Sequence, residues 1–204
     1  MSNISRRKHW EKVFEEKKAE EVSWYQPIPE TSINLILSVN PKKNAPIIDI
    51  GAGDSMLIDQ LISHGFTNIY ALDISSKALD KAKRRLGEKA DLVKWIVSDI
   101  THFKPDTAFD FWHDRAVFHF LTDKKDVEMY RSIAASSVRG DMSIGTFAPS
   151  GPSKCSNLDI QRYSAEELKT VFKEGFTCEN CFEEAHLTPA GKVQNFTFCL
   201  FRKS

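Results

Sequence analysis

The stretch Ile47-Ile48-Asp49-Ile50-Gly51-Ala52-Gly53-Asp54-Ser55 decides the fold, together with Asp73 in the later run Ala71-Leu72-Asp73-Ile74. An apolar run typical of a buried strand ends in two glycines, a helix begins at once, and an acidic residue follows about 20 positions on. This arrangement is typical of α/β units that hold a ribose against a strand edge. Because glycine lacks a side chain, Gly51 and Gly53 let a ligand approach the backbone. The stretch therefore predicts a nucleotide-type site.

The kind of ligand depends on the residue three positions after Gly53. A dinucleotide fingerprint has a third glycine there, where a pyrophosphate sits on the start of the helix. In this chain the position is Met56. The pattern therefore argues against a pyrophosphate and favours an adenosine without phosphates, such as S-adenosylmethionine.

This region resembles the cofactor motif of the class I S-adenosylmethionine-dependent methyltransferases. Asp49, Gly51 and Gly53 stand in the first motif, and Asp73 closes the second strand. The resemblance covers roughly residues 10–202 and implies S-adenosylmethionine as the cofactor.

The same resemblance extends to two later strands. In the superfamily a third strand ends in an acidic residue near the adenine, which Asp99 matches, and a fourth strand ends at the reaction centre, which residues 109–116 match. The cofactor contacts expected from the resemblance are Trp24, Tyr25, Asp49, Gly51, Ala52, Gly53, Asp73, Ile74, Asp99 and Ile100.

Four shorter runs are similar to particular subgroups. Residues 112–116 and 163–168 resemble the thiopurine methyltransferase group. His9-Trp10-Glu11 and Ser23-Trp24-Tyr25 look like the entry segment of small bacterial methyltransferases and of some protein-lysine methyltransferases. The acceptors implied are accordingly a small molecule or a protein lysine.

Composition favours one compact enzyme domain over residues 1–204. The chain is 41% hydrophobic, and Lys plus Arg equals Asp plus Glu at 28 each. A chain with zero formal charge lacks the electrostatic footprint of a general nucleic-acid binder, so nucleic acid is an unlikely partner. No apolar run reaches the ~18 residues of a membrane span, and no signal core is seen, so we expect a cytoplasmic protein. No oligomeric state follows from the sequence.

Alternating apolar patterns predict a Rossmann-like α/β three-layer sandwich. We expect a seven-stranded, mostly parallel sheet with a C-terminal antiparallel hairpin, behind an N-terminal helical lid over residues 1–40, with the core over 41–204. The predicted strands are 46–51, 68–73, 92–98, 109–114, 141–148, 176–186 and 193–201, and the predicted helices are 6–20, 29–39, 54–64, 75–86, 123–138 and 164–174.

The cysteines are expected to be structural. Cys178 and Cys181 have the spacing of a redox or zinc pair, but they fall in a predicted strand, where residues three apart point to opposite faces. Without a bulge they could not share a metal. Cys155 and Cys199 are isolated in the sequence. We therefore expect neither a metal site nor a disulfide.

Methyl transfer from a sulfonium requires an aligned acceptor and, when the acceptor is protonated, a base. The catalytic residues expected near the end of the fourth strand are His113, Asp114 and Arg115, with His119 and Tyr25 as further candidate bases. The thiopurine resemblance implies that Arg115 faces an anionic part of the acceptor.

Each of these candidates also has a structural interpretation. His113 and Asp114 could cap the next helix, Arg115 could pair with Asp73, Asp99 or Asp114, and His119 sits between two aromatic residues that suggest a core edge. Trp24 and Tyr25 could be hydrophobic packing, although aromatic faces also suit a cationic sulfonium.

The acceptor expected first is a small molecule. The chain has no accessory domain to recognise a large partner and lacks the Asn-Pro-Pro-aromatic signature of base-methylating enzymes. A protein lysine is the second acceptor class. Two alternatives belong to other functional classes: an NAD-dependent oxidoreductase and a cofactor-binding scaffold without activity. Met56 and the terminal hairpin argue against the oxidoreductase.

Overall fold

A computed structural model describes residues 3–204 of the chain. The predicted domain and lid both begin at residue 1, and their first two residues lie outside the described residues. The helices are α1 (Asn3–Glu16), α2 (Glu30–Ser38), α3 (Leu57–Ser63), α4 (Ser76–Leu86), α5 (Lys124–Ser137) and α6 (Ala165–Phe172). The strands are β1 (Ile47–Ile50), β2 (Ile69–Asp73), β3 (Val93–Val97), β4 (Phe109–Arg115), β5 (Val138–Phe147), β6 (Lys154–Cys155), β7 (Leu158–Asp159), β8 (Phe176–Leu187) and β9 (Val193–Lys203).

Seven strands form one sheet in the order β3-β2-β1-β4-β5-β9-β8. The first five are parallel, whereas β9 runs antiparallel to β5, and β8 runs antiparallel to β9. Each parallel pair needs a crossover, which the helices supply on both faces. The predicted fold class, with its C-terminal antiparallel hairpin, is confirmed.

The helices cover both faces of the sheet and bury two apolar clusters. One cluster packs α5 and α6 on the face that carries Trp112, and the other packs α2, α3 and α4 on the face that carries Phe111. Neighbouring residues of β4 therefore belong to opposite layers, as the period of two in a strand requires. This alternation decides which residues of β4 can reach a ligand.

Some element boundaries differ from the prediction. The first helix ends at Glu16 and is followed by a separate 3₁₀ turn over Ala19–Glu21, and α3 begins only at Leu57. The short ribbon of β6 and β7 was not predicted. Its two turn residues, Ser156 and Asn157, have positive φ angles of 48° and 62°, a conformation that hairpin turns usually obtain from Asn-Gly.

The prediction that the cysteines form no disulfide is wrong. A β-bulge between Cys178 and Asn180 brings the sulfur atoms of Cys178 and Cys181 to 3.3 Å, so both lie on one side of β8. Cys181 also stands directly opposite Cys199 on β9, and these two form a disulfide. Local spacing could not reveal this pair, because the bulge and the strand register are properties of the folded hairpin.

The three sulfur atoms of Cys178, Cys181 and Cys199 lie within 4.8 Å of one another. Because two of them are joined to each other, they cannot serve as thiolate ligands in this state. The cluster therefore acts as a covalent link between the last two strands.

Within residues 3–204, no helix is long and apolar enough to cross a membrane.

Reducing the Cys181–Cys199 disulfide should destabilise the protein. The bond joins residues 18 apart, and opening a loop of that size costs about 2 to 4 kcal/mol through the greater freedom of the unfolded chain. Urea unfolding with and without reductant measures the difference. The reductant should lower the stability of Cys178→Ser as it does that of the wild type. It should not change the stability of a Cys181→Ser/Cys199→Ser double variant. An unfolding midpoint of the wild type that does not change with reductant would contradict the Cys181–Cys199 disulfide.

Candidate active site

A cleft opens at the carboxyl ends of β1 to β4, beneath α1 and the loop that follows it. This is where open parallel sheets usually bind ligands. Asp114 and the further candidate base His119 do not line the cleft. The other predicted site residues do, namely Trp24, Tyr25, Asp49, Gly51, Ala52, Gly53, Asp73, Ile74, Asp99, Ile100, His113 and Arg115. The fold thus brings residues from four strands and the N-terminal segment to one place.

Asp73 holds the glycine loop in place. Its Oδ2 atom accepts a hydrogen bond from the backbone N–H of Gly53 at 2.9 Å, and its Oδ1 atom accepts one from the N–H of Ser75 at 2.8 Å. Burial raises the pKa of Asp73 to about 7, even though both of these bonds favour the charged form. The carboxylate therefore ties the end of β1 to the end of β2.

The two glycines are required for different reasons. Both have positive φ angles, 66° at Gly51 and 54° at Gly53. A Cβ atom at Gly51 would lie 2.0 Å from the side chain of Val117, so this glycine serves internal packing. A Cβ atom at Gly53 would lie 3.2 Å from the Phe14 ring and 3.7 Å from Asp73 Oδ2, inside the cleft. Of the two, Gly53 keeps the space beside the acid open.

Asp99 begins a 3₁₀ turn over Ile100–His102. Its Oδ1 atom accepts hydrogen bonds from the N–H and the hydroxyl of Thr101, at 2.9 and 2.7 Å. Its Oδ2 atom lies 3.4 Å from Nε of Arg6, which also pairs with Asp126 at 3.0 Å. The N-terminal helix therefore contacts the predicted adenine end of the cleft through Arg6.

Glu11 anchors the N-terminal helix to the core. Its carboxylate accepts hydrogen bonds from the hydroxyls of Ser75 and Ser76 and from the N–H groups of Ser76 and Lys77, at the start of α4. Burial raises the pKa of Glu11, but these bonds outweigh it and the net pKa is lowered. A carboxylate is well placed at a helix N-terminus, where free N–H groups and the helix dipole favour negative charge.

Aromatic side chains from the N-terminal segment close the cleft. The ring of Trp10 packs edge-on against Trp24 at 5.8 Å and Phe120 at 5.0 Å, and Phe14 packs against Trp24 at 6.4 Å between centroids. We call Trp10, Phe14, Trp24 and Phe120 the aromatic lid. The lid makes the entrance apolar.

His113 and Asp49 form a buried pair on neighbouring strands. The two residues stand in register on β4 and β1, and Nδ1 of His113 lies 2.6 Å from Oδ1 of Asp49. The side chains are only 5% and 4% exposed. Nε2 of His113 is buried, and no group in the described part of the chain bonds to it. Because the carboxylate requires a proton on Nδ1, Nε2 is left as a proton acceptor.

Asp114 lies on the other side of the sheet from this pair. Its carboxylate accepts hydrogen bonds from Tyr130 Oη at 2.7 Å, Val117 N at 3.0 Å and Phe118 N at 3.3 Å. Burial raises its pKa to about 6. The geometry corresponds to the helix-capping interpretation, and Asp114 is not positioned to act as a base in the cleft.

His119 also lies in the core. Its ring packs between Phe120 and Phe147, with centroids 4.5 and 4.7 Å away. Burial, together with the nearby charge of Arg115, lowers its pKa to about 3. His119 therefore stays neutral, as its interpretation as a core-edge residue suggests.

Arg115 faces the cleft but has no acidic partner. Its Nη1 atom donates a hydrogen bond to the carbonyl of Trp24 at 3.0 Å, and the guanidinium lies 4.7 Å from the Phe196 ring centroid. Among residues 3–204 no ion pair is formed by Arg115, so none of its expected aspartate partners is used. Burial lowers its pKa to about 10.

Several cleft residues escaped sequence reasoning. Arg6, Phe14 and Phe120 come from regions without a recognisable motif, and their roles depend on how α1 docks. The signal that could have been followed is His9-Trp10-Glu11, since Trp10 joins the aromatic lid and Glu11 anchors the helix.

Comparisons with known proteins find methyltransferases. A family model described as a methyltransferase domain matches residues 47–140. The chain is 27% identical over 200 residues to EEF1A lysine methyltransferase 2 of Mus musculus, covering 90% of this chain and 75% of the relative. It is 28% identical over 123 residues to the eEF1A lysine and N-terminal methyltransferase of the same species, covering 59% of this chain. The chain spans only 17% of the length of that relative.

Solved structures share the fold at low sequence identity. The N-methyltransferase NodS from Bradyrhizobium japonicum, in complex with S-adenosylhomocysteine, superposes with a TM-score of 0.73 at 17% identity, covering 96% of this chain and 98% of that one. The magnesium protoporphyrin IX methyltransferase ChlM from Synechocystis gives a TM-score of 0.69 at 15% identity, covering 99% and 95%.

These matches do not support the resemblance to the thiopurine group, which stays a prediction. They do include lysine methyltransferases, the other subgroup that the N-terminal motifs resembled. The matched segment, residues 47–140, contains the glycine loop, Asp73, Asp99 and the His113–Asp49 pair. Residues 47–140 thus match the methyltransferase-domain family, and the whole chain has the fold of its S-adenosylmethionine-dependent methyltransferase neighbours.

Proposed function

We propose that this protein methylates an amine nitrogen, with the side chain of a protein lysine as the acceptor. The observation that carries the proposal is the buried His113–Asp49 pair, whose free Nε2 atom belongs to the same cleft as Gly53 and Asp73. A lysine amine is protonated at neutral pH and must lose a proton before it can attack a methyl group. The unbonded Nε2 atom of His113, in the same cleft, is placed to accept that proton.

The cleft residues fit S-adenosylmethionine. Each oxygen of Asp73 accepts one backbone hydrogen bond and can accept another from a ribose hydroxyl. The bare backbone at Gly53 leaves room beside that acid, and Ile74, Asp99 and Ile100 line the region next to it. When bound there, the cofactor supplies an electrophilic methyl group.

His113 and Asp49 would act together during the reaction. Nε2 of His113 accepts the proton of the incoming ammonium, and Asp49 stabilises the resulting imidazolium across the 2.6 Å contact. The aromatic lid excludes water and offers ring faces that attract a cationic amine. Both effects favour an amine over a neutral acceptor.

Two named relatives support lysine as the acceptor. Both are lysine methyltransferases, and one of them aligns with 90% of the chain. This reverses the order expected from sequence, in which a small molecule came first. A small-molecule amine is the second candidate, because the likeness to the N-methyltransferase NodS extends over 96% of the chain.

The acceptor class can be tested with labelled cofactor. The purified protein is incubated with methyl-labelled S-adenosylmethionine and a cell lysate separated into protein, nucleic-acid and small-molecule fractions. We expect label in the protein fraction, released as methylated lysine after acid hydrolysis. An Asp73→Ala variant is the control for transfer by contaminants. Label confined to small amines would favour the second candidate, and preferred binding of NAD would contradict the methyltransferase assignment.

Replacing either member of the buried pair should separate catalysis from cofactor binding. His113→Gln and Asp49→Asn should each lower kcat by about 100-fold or more, the usual scale for a general base, while calorimetry finds S-adenosylhomocysteine affinity within a few fold of the wild type. His119→Gln is the matched control, because that imidazole lies in the core. A wild-type kcat in both pair variants would exclude His113 as the base.

Cofactor affinity should depend on pH through Asp73. Its pKa of about 7 in the free protein means that the carboxyl is mostly protonated below pH 7 and charged above it. Ribose hydroxyls bond better to the charged form, so binding lowers this pKa and affinity rises with pH. We expect the Kd of S-adenosylhomocysteine to fall about tenfold between pH 6 and pH 8. Asp73→Asn should bind more weakly and lose this dependence, and a pH-independent wild type would contradict the prediction.

A further inference from the structure

Arg115 is a cation in the cleft for which the protein provides no anion. Its guanidinium contacts one backbone carbonyl, that of Trp24, and the ring of Phe196. The acid that influences the Arg115 charge most is Glu184, whose carboxylate accepts the hydroxyl of Thr31 and forms no ion pair with Arg115. Arg115 is partly buried, and a partly buried guanidinium is stabilised when its fork of N–H donors meets an anion.

The other acidic side chains of the cleft are already occupied. Asp49 is bound to His113, Asp54 to Arg85, and Asp99 to Thr101 and Arg6. Asp73 accepts the backbone N–H groups of Gly53 and Ser75. Arg115 could not gain a partner from this set without breaking one of these contacts. The missing anion must therefore arrive with the ligand.

The position of Arg115 along the cleft indicates which anion it meets. Asp73 ends β2, the glycine loop follows β1, and Arg115 ends β4, so these three points lie on successive strands. Neighbouring strands are about 4.8 Å apart, which puts the ends of β2 and β4 about 10 Å from each other. The methionyl chain of a cofactor whose ribose sits at Asp73 has this reach.

We infer that Arg115 binds the α-carboxylate of the cofactor's methionyl group. This inference rests on the proposed use of S-adenosylmethionine, and it differs from the expectation that Arg115 faces an anion of the acceptor. A guanidinium and a carboxylate form two parallel N–H···O bonds, which gives the site selectivity for ligands that carry the amino-acid end. Since Arg115 also bonds to the Trp24 carbonyl, the same side chain joins the bound carboxylate to the lid loop.

The test compares two ligands that differ only in the carboxylate. Calorimetry without any acceptor gives the Kd of S-adenosylmethionine and of decarboxylated S-adenosylmethionine for the wild type and for Arg115→Met. We expect the wild type to prefer the carboxylate-bearing ligand by about 10- to 150-fold, the range for hydrogen bonds to charged groups. In Arg115→Met this preference should fall to within a few fold, with the decarboxylated ligand bound as in the wild type.

The controls keep a folding defect apart from a lost contact. Unchanged affinity for the decarboxylated ligand shows that Arg115→Met is folded, and Arg84→Met, on the exposed side of α4, should keep the full preference. Arg115→Lys should keep part of the preference, because lysine retains the positive charge but lacks the paired N–H donors of the guanidinium. If Arg115→Met weakens both ligands equally, Arg115 only holds the lid loop, and the inference is overturned.

Three further outcomes distinguish this inference from the proposed function. A wild type that binds both ligands equally well would overturn the inference and leave the methyltransferase assignment standing. The same holds if Arg115→Met spares the affinity for S-adenosylmethionine but raises the KM of the acceptor, since the anion would then belong to the acceptor. A wild type that binds neither ligand would instead remove the proposed function itself.

Discussion

The site depends on one buried carboxylate that holds two chain turns together. Asp73 accepts the N–H of Gly53 after β1 and the N–H of Ser75 before α4, so the glycine loop and the helix start have a fixed spacing. The charge is costly at this depth, which is why the pKa is raised. A ribose that bonds to the same oxygens would stabilise the charged form. The structural role and the proposed binding role of Asp73 therefore support each other.

Strand β4 divides its residues between two tasks because its side chains alternate. Trp112 and Asp114 join Tyr130 in a buried network that supports the chain turn after the strand. His113 and Arg115 point into the cleft. The sequence run groups His113, Asp114 and Arg115 as catalytic candidates, and the period of two in a strand separates Asp114 from the other two.

Structural features that follow from local sequence patterns could be predicted. Contacts between distant stretches of the chain could not. The strands, the hairpin and the convergence of Asp49, Gly53 and Asp73 follow from apolar periodicity and from the rule that parallel strands end at one edge. The Cys181–Cys199 disulfide depends on strand register and on a bulge, neither of which has a local signal. Docking of α1 likewise depends on Glu11 reaching the start of α4, 64 residues and more away.

The charge balance of the cleft limits the acceptors that suit it. Asp49, Asp54 and Asp99 are each paired within the protein, so the cleft offers an ammonium no free carboxylate apart from the cofactor residue Asp73. A cationic amine must then be attracted by the aromatic lid, an interaction that is weaker than an ion pair and does not hold the proton. In the proposed reaction nothing fixes the charged form of the amine, which would ease transfer of its proton to His113. A paired carboxylate would instead have stabilised the ammonium and raised the barrier to its deprotonation.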